Sequence, residues 1–442
     1  MSSLVYRIIP LFTQVLQGVP IGTNLGLFHL MFALLSGRFV PSRGATFPAL
    51  SDIGLSPEAV RRASAALREG GFVIATLLSN WQRLVQKEGA FQAHEHEGVR
   101  PVACDLTAFY RPHLQGLTSK HYSSVAGKAL PALVFGLCVR VGSVGKQRLG
   151  LPCLILRGGE QESDDTLQKR LVMEAAKHLK TGEALVVDAG FDLAAMLLLE
   201  KPFVIRLAKN ATARRNFLPA YCGRGRHPEY GVTVRPLSRT YEEHAIEATE
   251  PDKVAKWKYK GRSLVAHIWE GVVLPDAKPG ASTFRIVAIY DPRYQQPLLL
   301  ATNLSVSAEA VWSLYKDRWP VEQVALAGKP MLGCERAYVF GAESRYRLPE
   351  LALLCGNILS YLAATAAPLA TGFWDRAARP TCGRLRRTLA KMSFSNLPEP
   401  LGQIRKKNSV TAHLTTGVTA HRRRKRNSEQ IQYQNALGFT GN

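Results

Sequence analysis

At 442 residues, with 46% apolar and 21% charged residues, the chain is too long for one ordinary domain and too apolar for a disordered one; two to four domains are expected. Lys and Arg number 57 against 34 Asp and Glu, a formal net charge of +23, which points to a polyanionic partner, nucleic acid foremost, rather than to a generic basic surface. Seven cysteines stand singly with no Cys-x-x-Cys pair, which excludes a zinc ribbon and fits the reduced thiols of a cytoplasmic protein.

Residues 1–98 read as a helical unit. The opening MSSLVYRIIPLFTQVLQGVP lacks a small-residue cleavage signal and is not read as a secretory peptide. GATFPALSDIGLSPEAVRRASAALREGG has the outline of a helix-turn-helix: a turn at Gly54, Ser56 as cap, Pro57 at the first helical position and Glu58 in the first turn. The helix it opens would present Arg61, Arg62 and Arg68, as in a DNA-reading module, although helix pairs joined by Gly are common in plain bundles too.

Over 99–208 the pattern turns to strands alternating with helices. PVACDLTAFY, ALVFGLCVRVGSV and GLPCLILRG read as three successive strands, DDTLQKRLVMEAAKHLKTG as an amphipathic helix, EALVVDAGF as a buried strand, DLAAMLLLEK as a helix and PFVIRLAK as a strand. Three strands, helix, strand, helix, strand is the order of a ribonuclease-H-like α/β core, a mixed sheet flanked by helices. Residues 209–304 are basic and loop-rich, then β-like (GVTVRPL, SLVAHIW, FRIVAIYD, PLLLATNL), and read as an all-β insertion. Helical character returns at SVSAEAVWSLYKDRW, capped by Ser305 or Ser307, so 305–368 form a second part of the core. Within it Leu351 to Thr371 carries no charge and is long enough to span a bilayer, but Gly356, Asn357, Ser360, Tyr361 and Pro368 favour a buried core helix, and no membrane partner is expected. Residues 369–442 form a basic C-terminal region; from Phe373 onward, fourteen Lys or Arg meet three acids, and HRRRKR suits phosphate contact.

Asp105 and Asp188 each sit in or at the end of an apolar strand, before a turn, where α/β folds place ligands. A third acid from a nearby helix would complete a set of oxygen ligands for two hard divalent cations, Mg²⁺ or Mn²⁺. Taken singly, each Asp is more often a turn or cap residue than a ligand. YKDRWPVEQVALAGK offers that acid. Pro320 suits the start of a new helix, so one helix ends near Arg318 and a second opens with Glu322 in its first turn, where the positive helix end favours a carboxylate. Lys329 then lies two turns along the same face, and Tyr315 and Arg318 share a face of the preceding helix. The competing reading is an ordinary amphipathic pair with Tyr315 and Trp319 in the core.

Tyr315, Arg318, Glu322 and Lys329, at Tyr-x2-Arg-x3-Glu-x6-Lys, match the signature of the insertion sequence four family of bacterial DDE transposases. DLTAFYRP resembles that family's first-Asp strand, VVDAGFD with FVIRLAKN its second-Asp block, and LLLATNL and KPMLG flank the signature as in the family. The resemblance implies a three-carboxylate site of Asp105, Asp188 and Glu322 binding two Mg²⁺ ions, cleavage at the terminal inverted repeats of the element, and transfer of the 3′-hydroxyl ends to target DNA. Tyr315, Arg318 and Lys329 would hold phosphates near the cut, and an aromatic from the insertion (Trp257, Trp269 or Tyr294) would brace a flipped base in hairpin-forming members. Synapsis of two ends implies a homodimer, in a prokaryotic cytoplasm. The sequence departs from the family at QVALAG between Glu322 and Lys329, where bulky aromatics are more usual, and Gly328 and Pro330 weaken the helix. A ribonuclease-H-like nuclease or resolvase, or an inactive DNA-binding relic, are the alternatives. GSVGKQRLG departs from a phosphate loop at Arg140 and Gln147, and HEHE at His94 to Glu97 reads as an exposed linker rather than a metal site. Asp192 and the run Glu160, Glu162, Asp164, Asp165 are further acids, the run suiting a helix N-terminus.

Overall fold

The computed structural model describes residues 2–223, 225–370, 372–379, 381–392 and 404–406. HRRRKR, and with it most of the basic C-terminal region, lies outside the described residues.

Five helices open the chain: α1 (Ser2–Val15), α2 (Thr23–Leu35), α3 (Thr46–Asp52), α4 (Pro57–Glu69) and α5 (Ile74–Glu88). α2 is apolar almost all round and is accordingly interior, with Leu27, Phe28 and the run Leu30 to Leu35 buried. α4 starts as the sequence indicates: Ser56 Oγ accepts from the Ala59 amide, Pro57 takes the first turn, and Gly54 supplies the left-handed turn at φ 80°. Its Val60, Ala63, Ala66 and Leu67 are buried, and Gly26 of α2 lies so close that a Cβ there would meet Ala66 Cβ at 2.5 Å. Arg61 and Arg68 are left exposed and Arg62 half-buried.

The sheet begins with β1 (Phe91–Ala93), β2 (Arg100–Tyr110), β3 (Lys120–Ser123), β4 (Lys128–Val144) and β5 (Gln147–Arg157); α6 (Asp164–Lys177), β6 (Glu183–Val187), α7 (Leu193–Leu198) and β7 (Phe203–Arg206) follow. β5 and β2 each run antiparallel to β4 between them, and β2, β6 and β7 run parallel, in the order β5-β4-β2-β6-β7. Side chains alternate across β4 as a two-residue period demands: Phe135, Leu137, Val139 and Val141 join the core built with the N-terminal helices, while Cys138 joins the one under α6 and α7.

Next come β8 (Ala213–Arg215), β9 (Thr233–Val234), β10 (Arg239–Tyr241), β11 (His244–Ile246), β12 (Lys253–Tyr259), β13 (Arg262–Val273), β14 (Phe284–Tyr290) and β15 (Leu298–Thr302), with no helix between them among the described residues. β15 pairs antiparallel with β7, and β14, β13, β8 and β9 follow in turn, so the strands after Asn210 extend the same sheet. The chain is therefore a mixed α/β protein with one large mixed sheet flanked by helices. It returns through α8 (Ala308–Lys316), α9 (Pro320–Leu326), a π-helical turn (Ala327–Met331), α10 (Ser344–Thr365) and α11 (Cys382–Ala390). α10 is long and apolar enough to cross a membrane by length and composition, with a mean hydropathy of 1.3, but 83% of that window is buried within the chain, and it serves as a core helix.

Candidate active site

The parallel ladder of β2 and β6 pairs Arg100 with Glu183 and Ala103 with Val186; carried two residues further, the same register brings Asp105 opposite Asp188. Asp188 is the first residue past β6, and its Oδ1 accepts from the Ala189 amide, as Asp105 Oδ1 does from Leu106. α8 lies over the sheet, with Val311 and Leu314 against Val186, Val204, Val287 and Leu300. α8 ends at Lys316 and α9 begins at Pro320, so the break expected at Pro320 is present and Glu322 lies in the first turn of α9.

The Arg318 guanidinium joins all three acids. Its Nη1 donates to Asp105 Oδ2 at 2.8 Å, and its Nη2 reaches Glu322 Oε1 at 2.6 Å and Asp188 Oδ2 at 3.2 Å. Tyr315 donates its hydroxyl to Asp188 Oδ1 at 2.9 Å, and Arg206, at the end of β7, stands 3.5 Å from the same oxygen. The two aspartates are driven apart. Burial pushes the Asp105 carboxyl above its usual range, against the pull of Arg318 and the Leu106 amide. For Asp188 burial acts the same way but Arg318, the Ala189 amide and Tyr315 outweigh it and hold the carboxyl low. Burial and the facing Asp188 carboxylate push the Tyr315 phenol up to about 12, and the three acids hold the Arg318 guanidinium firmly protonated.

Lys329 does not continue the face of α9 in regular helical steps, because the chain widens into the π-helical turn from Ala327. Its Nζ sits 5.4 Å from the centre of the Phe109 ring, and burial lowers its pKa to about 8, with Glu335 and Asp105 pulling the other way. Gly328 is explained by packing: a Cβ there would meet Leu353 Cα at 2.9 Å, and one on Gly356 would meet the Gly328 amide nitrogen at 2.5 Å.

Beside the carboxylates runs an open groove of about 800 Å³ lined by Arg206, Lys209, Arg293, Tyr294, Lys316 and Trp319. Of the aromatics singled out from sequence, Tyr294 lines this groove and is 64% exposed. Trp269 does not fit a base-contacting role: it is buried, its Nε1 donating to the Thr249 and Glu250 carbonyls. Trp257 packs edge-on against Trp312. Trp319, assigned to the core in the competing reading, is 52% exposed. Arg206 and Trp319 are the groups sequence reasoning missed; a base at the end of the strand after Asp188, and an aromatic directly before a helix-starting Pro, were the available signals. Arg61 and Arg62 lie on α4, which packs on α2 and α3 rather than in this groove. The HEHE segment is not a free linker either: His94 and His96 both bond Asp317, next to Arg318.

Three carboxylates offer hard oxygen donors of the kind Mg²⁺ and Mn²⁺ favour, each about 30% exposed: 29% for Asp105, 32% for Asp188 and 30% for Glu322. The cation now between them is the Arg318 guanidinium, and no group of three or more His, Cys, Asp or Glu stands in metal-holding geometry among the described residues. The donor chemistry fits a divalent ion, which would share these oxygens with the guanidinium. No protein-family model and no curated protein matches the chain.

Proposed function

We propose that the chain is a metal-dependent DNA transposase of the DDE type, cutting the ends of its own element and joining the 3′-hydroxyl ends to target DNA. The observation that carries this reading is the convergence of Asp105, Asp188 and Glu322, far apart in sequence, on one guanidinium beside the middle of β2 and the end of β6. The strand order β5-β4-β2-β6-β7, three antiparallel strands and then two parallel ones, supports a ribonuclease-H-like core, and the strands β8 to β15, although most of them extend the same sheet, are compatible with a β-rich insertion between its two parts. The net charge of +23 suits a DNA partner, and the basic groove with Tyr294 and Trp319 suits a backbone whose bases are partly unstacked.

In this reading Asp105, Asp188 and Glu322 hold Mg²⁺ or Mn²⁺, two ions in all. Bound there, such ions supply an activated water or 3′-hydroxyl and charge stabilisation on the departing oxygen. The protein's own groups orient the strand. Arg318 is a bidentate donor that can trade carboxylate for phosphate oxygens, Tyr315 keeps its proton and donates, and Lys329 adds a point charge. Two ends brought together require at least a homodimer.

The test uses paired end DNA from the sequence flanking the gene, with Mg²⁺. Cleavage leaving a 3′-hydroxyl, followed by joined products, is expected, and Asp105→Asn, Asp188→Asn and Glu322→Gln should each lose at least two orders of magnitude in rate. Normal cleavage by any of the three overturns the site. Free ends without joining indicate a nuclease or resolvase, and binding without cutting an inactive relic.

A further inference from the structure

The segment between β1 and β2 grips α8 at both ends. At the helix start, Glu97 Oε2 accepts from the Ser307 amide at 2.9 Å and Oε1 from the Ser307 hydroxyl at 2.5 Å; Ser307 in turn caps the Ala310 amide at 3.1 Å. At the helix end, Asp317 Oδ2 takes His94 Nδ1 at 2.9 Å and His96 Nε2 at 2.8 Å, with Arg148 of β5 at 3.5 Å from Oδ1. Asp317 is 3% exposed at its side chain, and its histidine bonds, outweighing burial, hold the carboxyl at about 2. An ionised carboxylate only accepts, so each histidine presents an N–H to it, and His94 Nε2 lies 2.7 Å from the Ser143 hydroxyl of β4.

The backbone is shaped for this grip. His96 and Val99 exchange both of their backbone bonds, and the two residues between them, Glu97 and Gly98, take φ of 50° and 80°. A left-handed Glu is uncommon, and here it aims the carboxylate at the start of α8. Nothing in the three-carboxylate chemistry requires these four side chains, yet the helix they hold carries Tyr315 in its last turn and leads directly into Arg318.

We propose that His94, His96 and Glu97 are positioning residues: by fixing both ends of α8, with Asp317 as the receiving group, they set where Tyr315 and Arg318 meet Asp105, Asp188 and Glu322. Only the activity arm of the test rests on the transposase reading. The comparison is between wild type, His94→Ala/His96→Ala, and His94→Asn/His96→Gln, whose amides keep an N–H at comparable reach. Amide hydrogen exchange over residues 311–318 is expected to quicken about tenfold in the alanine pair and to return to the wild-type rate in the amide pair. Exchange unchanged in the alanine pair, or not restored by the amides, overturns the proposal whether or not the protein cuts DNA. On end DNA, the cleavage rate of the alanine pair should fall about tenfold at unchanged DNA affinity; an equal loss of affinity and rate would mark plain misfolding and overturn it too. Should the alanine pair fail to fold, Asp317→Asn, which keeps the shape and removes the charge, carries the same comparison.

Discussion

Removing the Arg318 guanidinium would leave Asp105 and Glu322 without a hydrogen-bonded cation and Asp188 with Tyr315, Arg206 and the Ala189 amide. Because guanidinium and metal address the same oxygens, Arg318→Gln is expected to bind Mn²⁺ more tightly, by about tenfold in calorimetric titration, since one competing full charge is gone. End-DNA cleavage by that variant should nevertheless fall at least a hundredfold, because phosphate loses a bidentate partner; weaker Mn²⁺ binding would show that Arg318 assembles the acids rather than competing for them. Lys329 carries a pH dependence of definite sign. Unfolded, it holds its proton to 10.5; folded, to about 8, so between those values the unfolded chain binds more protons and stability rises with pH. Below pH 8 the buried charge costs at most about 3 kcal/mol. Lys329→Met should therefore stabilise the protein in urea unfolding at pH 7, with the advantage shrinking to nothing near pH 10.5. A constant difference across that window would show that Lys329 is not desolvated.

The turn from α9 into the π-helical segment depends on α10. Gly356 faces backbone, not flexible side chains: an added Cβ would stand 2.6 Å from Ala327 C and 2.9 Å from Gly328 Cα. Backbone cannot step aside cheaply, so Gly356→Ala should cost about 1–3 kcal/mol in urea unfolding and shift Lys329 with it. Gly383→Ala on α11, with nothing within 4 Å of its added Cβ, serves as the control and should be neutral or slightly stabilising. The same contrast explains what could be read beforehand. Pro320 is a local signal, since its fixed φ and missing N–H suit the first turn of a helix, and the helix boundary falls there. The need for Gly328 had no local signal, because it is set by the backbone of α10, more than twenty residues on. The HEHE segment misled for a related reason. A polar tetrapeptide looks solvated until Ser307 and Asp317, over two hundred positions away, arrive as partners.

Across the whole molecule, the long strands of the first half were legible because their apolar runs are bounded by turns, and Asp188 was legible because strand ends in α/β sheets face ligands, whereas Asp105 stands in the middle of β2 as a lone acid in an apolar run. Less visible was that the strands after Asn210 would join the same sheet, since pairing partners far apart leave no periodic trace. The seam is the ladder of β7 with β15, pairing Val204 with Thr302, Ile205 with Ala301 and Arg206 with Leu300. Thr302, wholly buried, donates its hydroxyl to the Phe203 carbonyl at 2.5 Å, and Asn303 accepts from the Phe203 amide at 3.0 Å and donates to the Lys201 carbonyl at 2.9 Å. A seam hydrogen-bonded in this way, with Val186 and Val204 sharing one apolar cluster with Val287 and Leu300, is expected to make the two halves of the sheet open together. The backbone amides of β6, β7, β14 and β15 are therefore expected to exchange through one opening of common free energy. Thr302→Val, which leaves the buried Phe203 carbonyl without its hydroxyl donor, should lower that free energy by about 1–2 kcal/mol for all four strands alike. If β14 and β15 instead opened earlier, with β6 and β7 still protected, the strands after Asn210 would be a separate folding unit, and Arg206 and Tyr315 would meet Asp188 across a mobile joint rather than on one sheet.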